Sequence, residues 1–285
     1  MAEPLVSHVS DTARWVAAYR AWESQRPDAL FSDPFAARLA GERGQAMATL
    51  MPRNSRSGWW MVARTKLIDD LVASTVRDGC DCVLNLAAGL DTRPYRLALP
   101  ASLPWIEADL PALIEEKETL LAAEKPACVL SRMTVNLTDA AERSAFLDRV
   151  LQGWKNVLVL TEGLLVYLDE AEVRTLGRDF AARGIHWWIL DLASPEIVKM
   201  MRRQVGAQLA NAPMKFAPSD GVAFFEALGW QAREVCSIVQ AAARFRRLPF
   251  FLRPVSWLPE PDPRNLGRSR WSGVVRLELG PLAAA

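Results

Sequence analysis

The stretch CVLNLAAGLDTRPYR, residues 82–96, joins a short apolar run to a glycine turn. Cys82 to Leu86 are nearly continuous in apolar character, the pattern of a strand buried on both faces of a parallel sheet. Just past it, Ala87, Ala88 and Gly89 form a turn in which the glycine lets the backbone approach a ligand closely. The position matters, because ligands of open α/β sheets bind beyond the C-terminal strand ends. The turn is not G-x-G-x-x-G, so a dinucleotide fingerprint is absent.

Outward from this turn the chain alternates strands and helices. Residues 105–108, 128–133, 157–160 and 186–192 read as further strands. Residues 111–123, 140–151 and 169–183 read as the helices between them. Five β–α alternations imply an α/β fold with a doubly wound parallel sheet. Two late strands, 233–238 and 273–279, have no regular helix between them and are expected to close the sheet as an antiparallel pair, for seven strands in all. A long helix follows Pro195 and another covers 221–228. Upstream, Ala13, Val16, Ala17 and Arg20 stand at helical spacing. The segment from Phe31 to Phe35 reads as a turn that starts a short helix. Residues 50–58 read as a mobile connector. Residues 58–76 read as a helix with Ile68, Leu71, Val72 and Val76 on one face. The Pro-rich segment 248–263 reads as a surface loop and a candidate wall of a binding site.

Composition excludes several functions. Lysine and arginine number 34 against 33 aspartates and glutamates, a net charge of +1. That balance argues against a broad nucleic-acid footprint. His8 and His186 are the two histidines, and the four cysteines are Cys80, Cys82, Cys128 and Cys236. No C-x-x-C pair and no histidine pair at ligand spacing occurs, so no metal site is expected. So few cysteines suggest a reduced, cytoplasmic setting, with Cys82 a small buried hydrophobe. The first 15 residues lack a signal-peptide pattern. No run reaches the roughly 18 apolar residues of a membrane helix.

The second strand ends Glu107-Ala108-Asp109. An acid about 20 residues beyond the glycine turn can accept hydrogen bonds from both ribose hydroxyls, so a nucleoside-containing ligand is expected. Read singly, Arg64 is a solvent-facing helix charge, Glu162 a capping acid, and an acid at 107 or 109 a solvated strand end.

Together the motifs say more. RTKLIDD (64–70), NLAAGLDTRPYRL (85–97), EADLP (107–111) and TEGLLVYL (161–168) resemble, in order and spacing, the leucine carboxyl methyltransferase family. They are most similar to its bacterial branch, S-adenosylmethionine-dependent O-methyltransferases often associated with secondary metabolism. DTA (11–13), RPDALFSDP (26–34) and WSGVV (271–275) agree. The resemblance covers roughly residues 8–195 and is weak beyond, WSGVV apart. It implies a class I methyltransferase, Rossmann-like, with an added N-terminal helical lid over 1–57. A methyltransferase domain would fill 58–285, with an inserted acceptor region at about 196–263.

Carried over residue by residue, the resemblance implies that Arg64 pairs with the carboxylate of S-adenosyl-L-methionine. Ala88 and Gly89 would line its amino-acid part, Asp109 hold its ribose hydroxyls and Glu162 its ammonium. Asn136 and Leu137 would meet the adenine, and Tyr167 would lie near the methyl group or the acceptor. Two positions depart from the family pattern: Ala87 stands where a glycine is usual, and Asn136 where an aspartate is usual. Asparagine can accept through its carbonyl oxygen and donate through its amide.

Methyl transfer from a sulfonium asks the protein mainly to align the partners and exclude water. A carboxylate acceptor is already ionised at neutral pH, whereas a phenol near pKa ~10 needs a base. With two histidines available, a small-molecule carboxylate is the expected acceptor, a hydroxyl the variant. His186 is expected to be structural. Trp15, Trp22, Trp59, Trp60, Phe216, Phe224, Phe225, Phe250, Phe251 and Trp257 are either pocket or core. The alternatives are a protein C-terminal carboxyl methyltransferase, a nicotinamide oxidoreductase, or a binding protein that kept the fold and lost catalysis.

Overall fold

The structure is a computed structural model that describes residues 11–50, 57–205 and 212–280. Three helices open it: α1 (Asp11–Ser24), α2 (Ala36–Thr49) and α3 (Trp59–Arg77). Alternation follows with β1 (Cys82–Leu86), α4 (Arg93–Arg96), β2 (Pro104–Asp109), α5 (Pro111–Leu121), β3 (Val129–Thr134) and α6 (Ala140–Val150). Then come β4 (Val157–Thr161), α7 (Glu170–Ala182), β5 (Trp187–Ala193), α8 (Pro195–Val205), α9 (Ala223–Glu226), β6 (Trp230–Ser237), α10 (Ile238–Arg244) and β7 (Ser272–Leu279).

Among the described residues seven strands form one sheet, ordered β3-β2-β1-β4-β5-β7-β6. β1 pairs in parallel with both β2 and β4, β3 with β2, and β5 with β4. β7 runs antiparallel between β5 and β6. The sheet is therefore doubly wound and mostly parallel, closed by an antiparallel pair. The order reverses between β1 and β4, which opens a crevice beyond their C-terminal ends.

Successive strand residues point to opposite faces. Val83, Leu158 and Ile189 pack with Ile68 and Leu71 of α3 on one face. Leu84, Val159 and Trp188 pack with Phe146 of α6 and Phe180 of α7 on the other. Helix starts follow capping chemistry: Asp139 accepts from the Ala141 and Glu142 amides, and Asp169 with Glu172 forms a capping box. A third apolar cluster joins Trp15 and Tyr19 of α1 and Leu39 of α2 to Leu90, Leu113 and Val198. The N-terminal helices thus share a core with the turn after β1 and with α5 and α8.

Three expectations need correction. A regular helix, α10, does stand between β6 and β7; its Ile238, Ala241 and Ala242 fill the α3 face of the sheet. The helix after Phe35 is not short: it runs 14 residues, with Gly41 at φ 56° taking up a bend. The Pro-rich segment contains a 3₁₀ helix, Phe250–Trp257. Of the expected connector, residues 51–56 lie outside the described residues, as does His8. No helix among the described residues is long and apolar enough to cross a membrane.

Candidate functional site

A cavity of about 690 Å³ lies at the crevice between β1 and β4. Arg64, Ala88, Gly89, Asp109, Asn136, Leu137, Glu162 and Tyr167 all line it. Six elements or their following loops deliver them. Arg64 comes from α3, Ala88 and Gly89 from the turn after β1, and Asp109 from the end of β2. Asn136 and Leu137 follow β3, Glu162 follows β4, and Tyr167 closes a 3₁₀ turn at Leu165–Tyr167.

The charges form one network. Arg64 donates through Nε to Oε1 of Glu162 at 3.1 Å and through Nη1 to Oδ2 of Asp191 at 3.1 Å. It is 8% exposed, so it is no solvent-facing helix charge. Arg93 donates from Nη1 to Oε2 of Glu162 at 2.8 Å and to Oδ2 of Asp91 at 2.8 Å, and from Nε to Oδ1 of Asp69 at 2.7 Å. Arg96 holds Asp69 with two bonds, at 2.6 and 2.7 Å. Burial pushes the Glu162 carboxyl up, but Arg93 and Arg64 outweigh it and hold the group below its ordinary range. Asp91, equally buried, is held well below that range by Arg93, Lys117 and Arg96. Burial pushes the Tyr167 phenol up, against a hydrogen bond with Thr12 of α1 and the charge of Arg64.

The turn after β1 is built around Asp109. Its Oδ2 accepts the Gly89 amide at 2.7 Å and its Oδ1 accepts the Leu110 amide at 2.7 Å. Gly89 has φ 52°, and a Cβ added there would stand 3.2 Å from the Ala13 side chain. Ala87 has φ 51°, a left-handed conformation that costs an L-residue roughly 1–2 kcal/mol. Glycine adopts that conformation without the steric cost.

Asn136 behaves differently from the expectation. Its Oδ1 accepts from the Thr138 amide at 3.1 Å and from the Thr138 hydroxyl at 2.7 Å, which uses both lone pairs. Only its amide remains to donate into the cavity. Glu107 is not a solvated strand end either. It is fully buried, bonded to Lys117 at 2.7 Å and to Arg132 at 2.8 Å. His186 sits before β5, at the opposite strand end from the cavity, with its ring 4.2 Å from that of Trp187.

Of the ten aromatics considered, Trp15, Trp59, Trp60 and Phe216 line the cavity. Phe224 and Phe225 belong to the core, and Phe250, Phe251 and Trp257 are exposed. Trp22 bonds Gln45 at 2.8 Å. Three network members that line the cavity were missed in the sequence: Asp91, Arg93 and Asp191. A charged residue inside the apolar run WWILDLA of β5 was the available signal for Asp191. Arg93, two residues after Asp91 in the quoted turn, had none beyond its proximity.

The sequence model of a family described as leucine carboxyl methyltransferase matches residues 13–181. The chain belongs to the leucine carboxyl methyltransferase family. It is 30% identical over 271 residues to a Streptomyces coelicolor protein named as an S-adenosyl-L-methionine-dependent methyltransferase, covering 89% of this chain and 92% of that one. A Frankia alni protein of the same description is 31% identical over 256 residues, covering 85% and 89%. Among solved structures, a methyltransferase of Thermobifida fusca superposes with a TM-score of 0.60 at 14% identity over 94% of each chain. A DUF574 family protein of Streptomyces avermitilis reaches 0.56 at 14% identity, over 93% of this chain and 97% of that one. These two likenesses concern the fold alone.

This methyltransferase uses S-adenosylmethionine, and its site fits that cofactor chemically. A guanidinium beside two carboxylates suits a zwitterionic amino-acid tail. The Cβ-free approach at Gly89, beside an acid at the β2 end, suits a nucleoside.

Proposed function

We propose that this methyltransferase esterifies a carboxylate of a small-molecule acceptor in the cytoplasm. One observation carries the reading: two of the acids beside the cavity's arginines are held as weak bases. Glu162 and Asp91 lie below the ordinary carboxylate range. Among the described residues no histidine lines the cavity. A phenol acceptor would need a base that these groups supply poorly. A carboxylate, ionised at neutral pH, needs none.

In this reading Arg64 binds the cofactor carboxylate and Glu162 its ammonium. Asp109 holds the ribose hydroxyls, Ala88 and Gly89 border the amino-acid part, and the Asn136 amide and Leu137 meet the adenine. When bound, the cofactor supplies a methyl group on a cationic sulfur that leaves as a neutral thioether. Tyr167, whose phenol is neutral at physiological pH as an ordinary phenol is, borders the reacting centre and donates a hydrogen bond there. The apolar wall excludes water. The net charge of +1 supports a small acceptor over a nucleic acid. Burial pushes the Cys80 and Cys82 thiols up to about 11 and about 12, which suits inert thiols in a reduced compartment.

The test is turnover by the full chain with S-adenosylmethionine and a matched pair, 2-naphthoate and 2-naphthol, read by mass spectrometry. Ester formation at a rate flat from about pH 6 to 9 is expected. Methylation of the naphthol alone, or no binding of demethylated cofactor at millimolar concentration, would overturn the reading.

A further inference from the structure

The large apolar side chains left in solvent are gathered in one place. Among the described residues eight are exposed, and five of them fall between 250 and 258: Phe250, Phe251, Val255, Trp257 and Leu258. Phe250 and Trp257 are each 78% exposed. The five sit on the 3₁₀ helix Phe250–Trp257 and on the residue after it. Globular monomers rarely expose contiguous apolar patches, and one that does occur marks an interaction surface.

A 3₁₀ helix repeats every three residues, so its side chains stand in three rows. Leu252 and Val255 form one row and line the cavity. Phe251, Pro254 and Trp257 form a second, exposed throughout. Phe250, Arg253 and Ser256 form the third. Phe250 meets Phe251 with ring centroids 5.6 Å apart. Val255 is both exposed and a cavity residue, so the patch runs to the rim of the cavity. Gln240 of α10 donates to the Ser256 carbonyl at 3.0 Å, and Leu252 packs with Phe245 against the α3-side core. The helix is thus seated on α10.

Charge indicates what covers the patch. Residues 235–259 hold four arginines, no lysine and no acid, in a chain whose two signs otherwise nearly balance. The flanking acids are Glu234, which pairs with Arg276, and Glu260. Arg247 is taken by Glu23 and Asp28. Arg244, Arg246 and Arg253 are exposed, and none of them pairs with an acid among the described residues. Exposed phenyl and indole rings beside basic side chains suit an element lying in the headgroup layer of an anionic bilayer. A second copy of the chain fits worse. A two-fold interface sets each patch against itself, so the arginines would meet like charge.

We infer that the patch at 250–258 docks this protein on the surface of an anionic lipid bilayer. The rings contribute apolar burial and the arginines attraction to the headgroups, the two terms that set peripheral binding. The inference goes beyond the reading of the cavity and does not depend on the acceptor.

Co-sedimentation of the full chain with vesicles tests it. Two compositions are compared: phosphatidylcholine alone, and phosphatidylcholine with an equal share of phosphatidylglycerol. The wild type should bind the anionic vesicles more tightly, and added salt should weaken that binding. Arg253→Gln should weaken it roughly fivefold, the loss expected for one basic residue near a charged surface. Phe250→Ser combined with Trp257→Ser should weaken it roughly tenfold or more. These side chains stand in solvent, so Tm and the affinity for demethylated cofactor should not change.

No binding of the wild type to anionic vesicles at millimolar lipid would overturn the inference, as would undiminished binding by the double serine variant. Equal affinity for the two compositions would do the same, because the arginines would then have no part in it. A dimer in lipid-free solution, seen by sedimentation velocity and dissociated by the double variant, would assign the patch to a second copy instead. None of these outcomes touches the methyltransferase reading, which stands or falls on cofactor binding.

Discussion

Arg93 places Nη1 2.8 Å from Oε2 of Glu162, across 69 residues of chain, with Arg93 itself 2% exposed. The pair ties the first crossover of the sheet to the loop after β4, on either side of the crevice. Arg93 also holds Asp69 and Asp91, sharing Glu162 with Arg64 and Asp69 with Arg96, so one guanidinium serves three buried acids. Replacing it by Met should destabilise the protein by about 3–5 kcal/mol, because Asp91 would stay buried without its ion-pair partner while Glu162 and Asp69 each lose one of two arginines. Urea denaturation followed by circular dichroism measures this. A loss below about 1 kcal/mol would show that the acids find other partners. Arg93→Lys should recover only part of the loss, since an ammonium lacks the planar fork.

Acid should unfold the protein over a defined range. The folded values of Glu162 and Asp91 lie below the unfolded ones, so above those folded values the unfolded chain holds more protons. Their stabilisation is complete above the ordinary carboxylate values and is lost as pH falls through the folded values. The urea midpoint should be level from about pH 7 to 5 and drop below about 4.5. Glu162→Gln should make that drop shallower. An equally steep decline in the variant would remove Glu162 from the account.

Ala87→Gly should stabilise the chain by about 1 kcal/mol. Relief of the left-handed strain exceeds the extra backbone entropy that glycine loses on folding. A rise in Tm of a few degrees is expected; a fall would mean that the alanine methyl contributes packing worth more than the strain.

Asp109→Ala should weaken demethylated cofactor by about 1–3 kcal/mol, ~5- to 150-fold in Kd, by removing an acceptor of hydroxyl bonds and of the Gly89 amide. Calorimetry reads it directly. Unchanged affinity would place the ribose elsewhere.

The legible part of the molecule was the part governed by local pattern. Apolar runs such as VLVL at 157–160 announce buried strands because each residue must face one packed layer or the other. The helices expected at 140–151 and 169–183 are there, and the structure adds their caps, Asp139 and Asp169, which satisfy orphan amides. The glycine turn, Asp109 and Glu162 follow strand ends, where a parallel sheet necessarily gathers its ligand contacts. α10 was missed because seven residues, IVQAAAR, carry too short a period to separate helix from loop.

The sequence by itself determined the strand and helix succession, the family, and the strand ends at which the site stands. The tertiary structure alone decided that Arg64 binds Asp191 from 127 residues away and that Arg93 joins Glu162. It also decided which four of the aromatics face the cavity, and that Asn136 spends its oxygen on Thr138. The reason is physical. Propensity and periodicity report what a residue meets within a turn or a pleat, whereas long-range ion pairs are chosen by strand order, which brings β1, β4 and β5 side by side and buries their charges together.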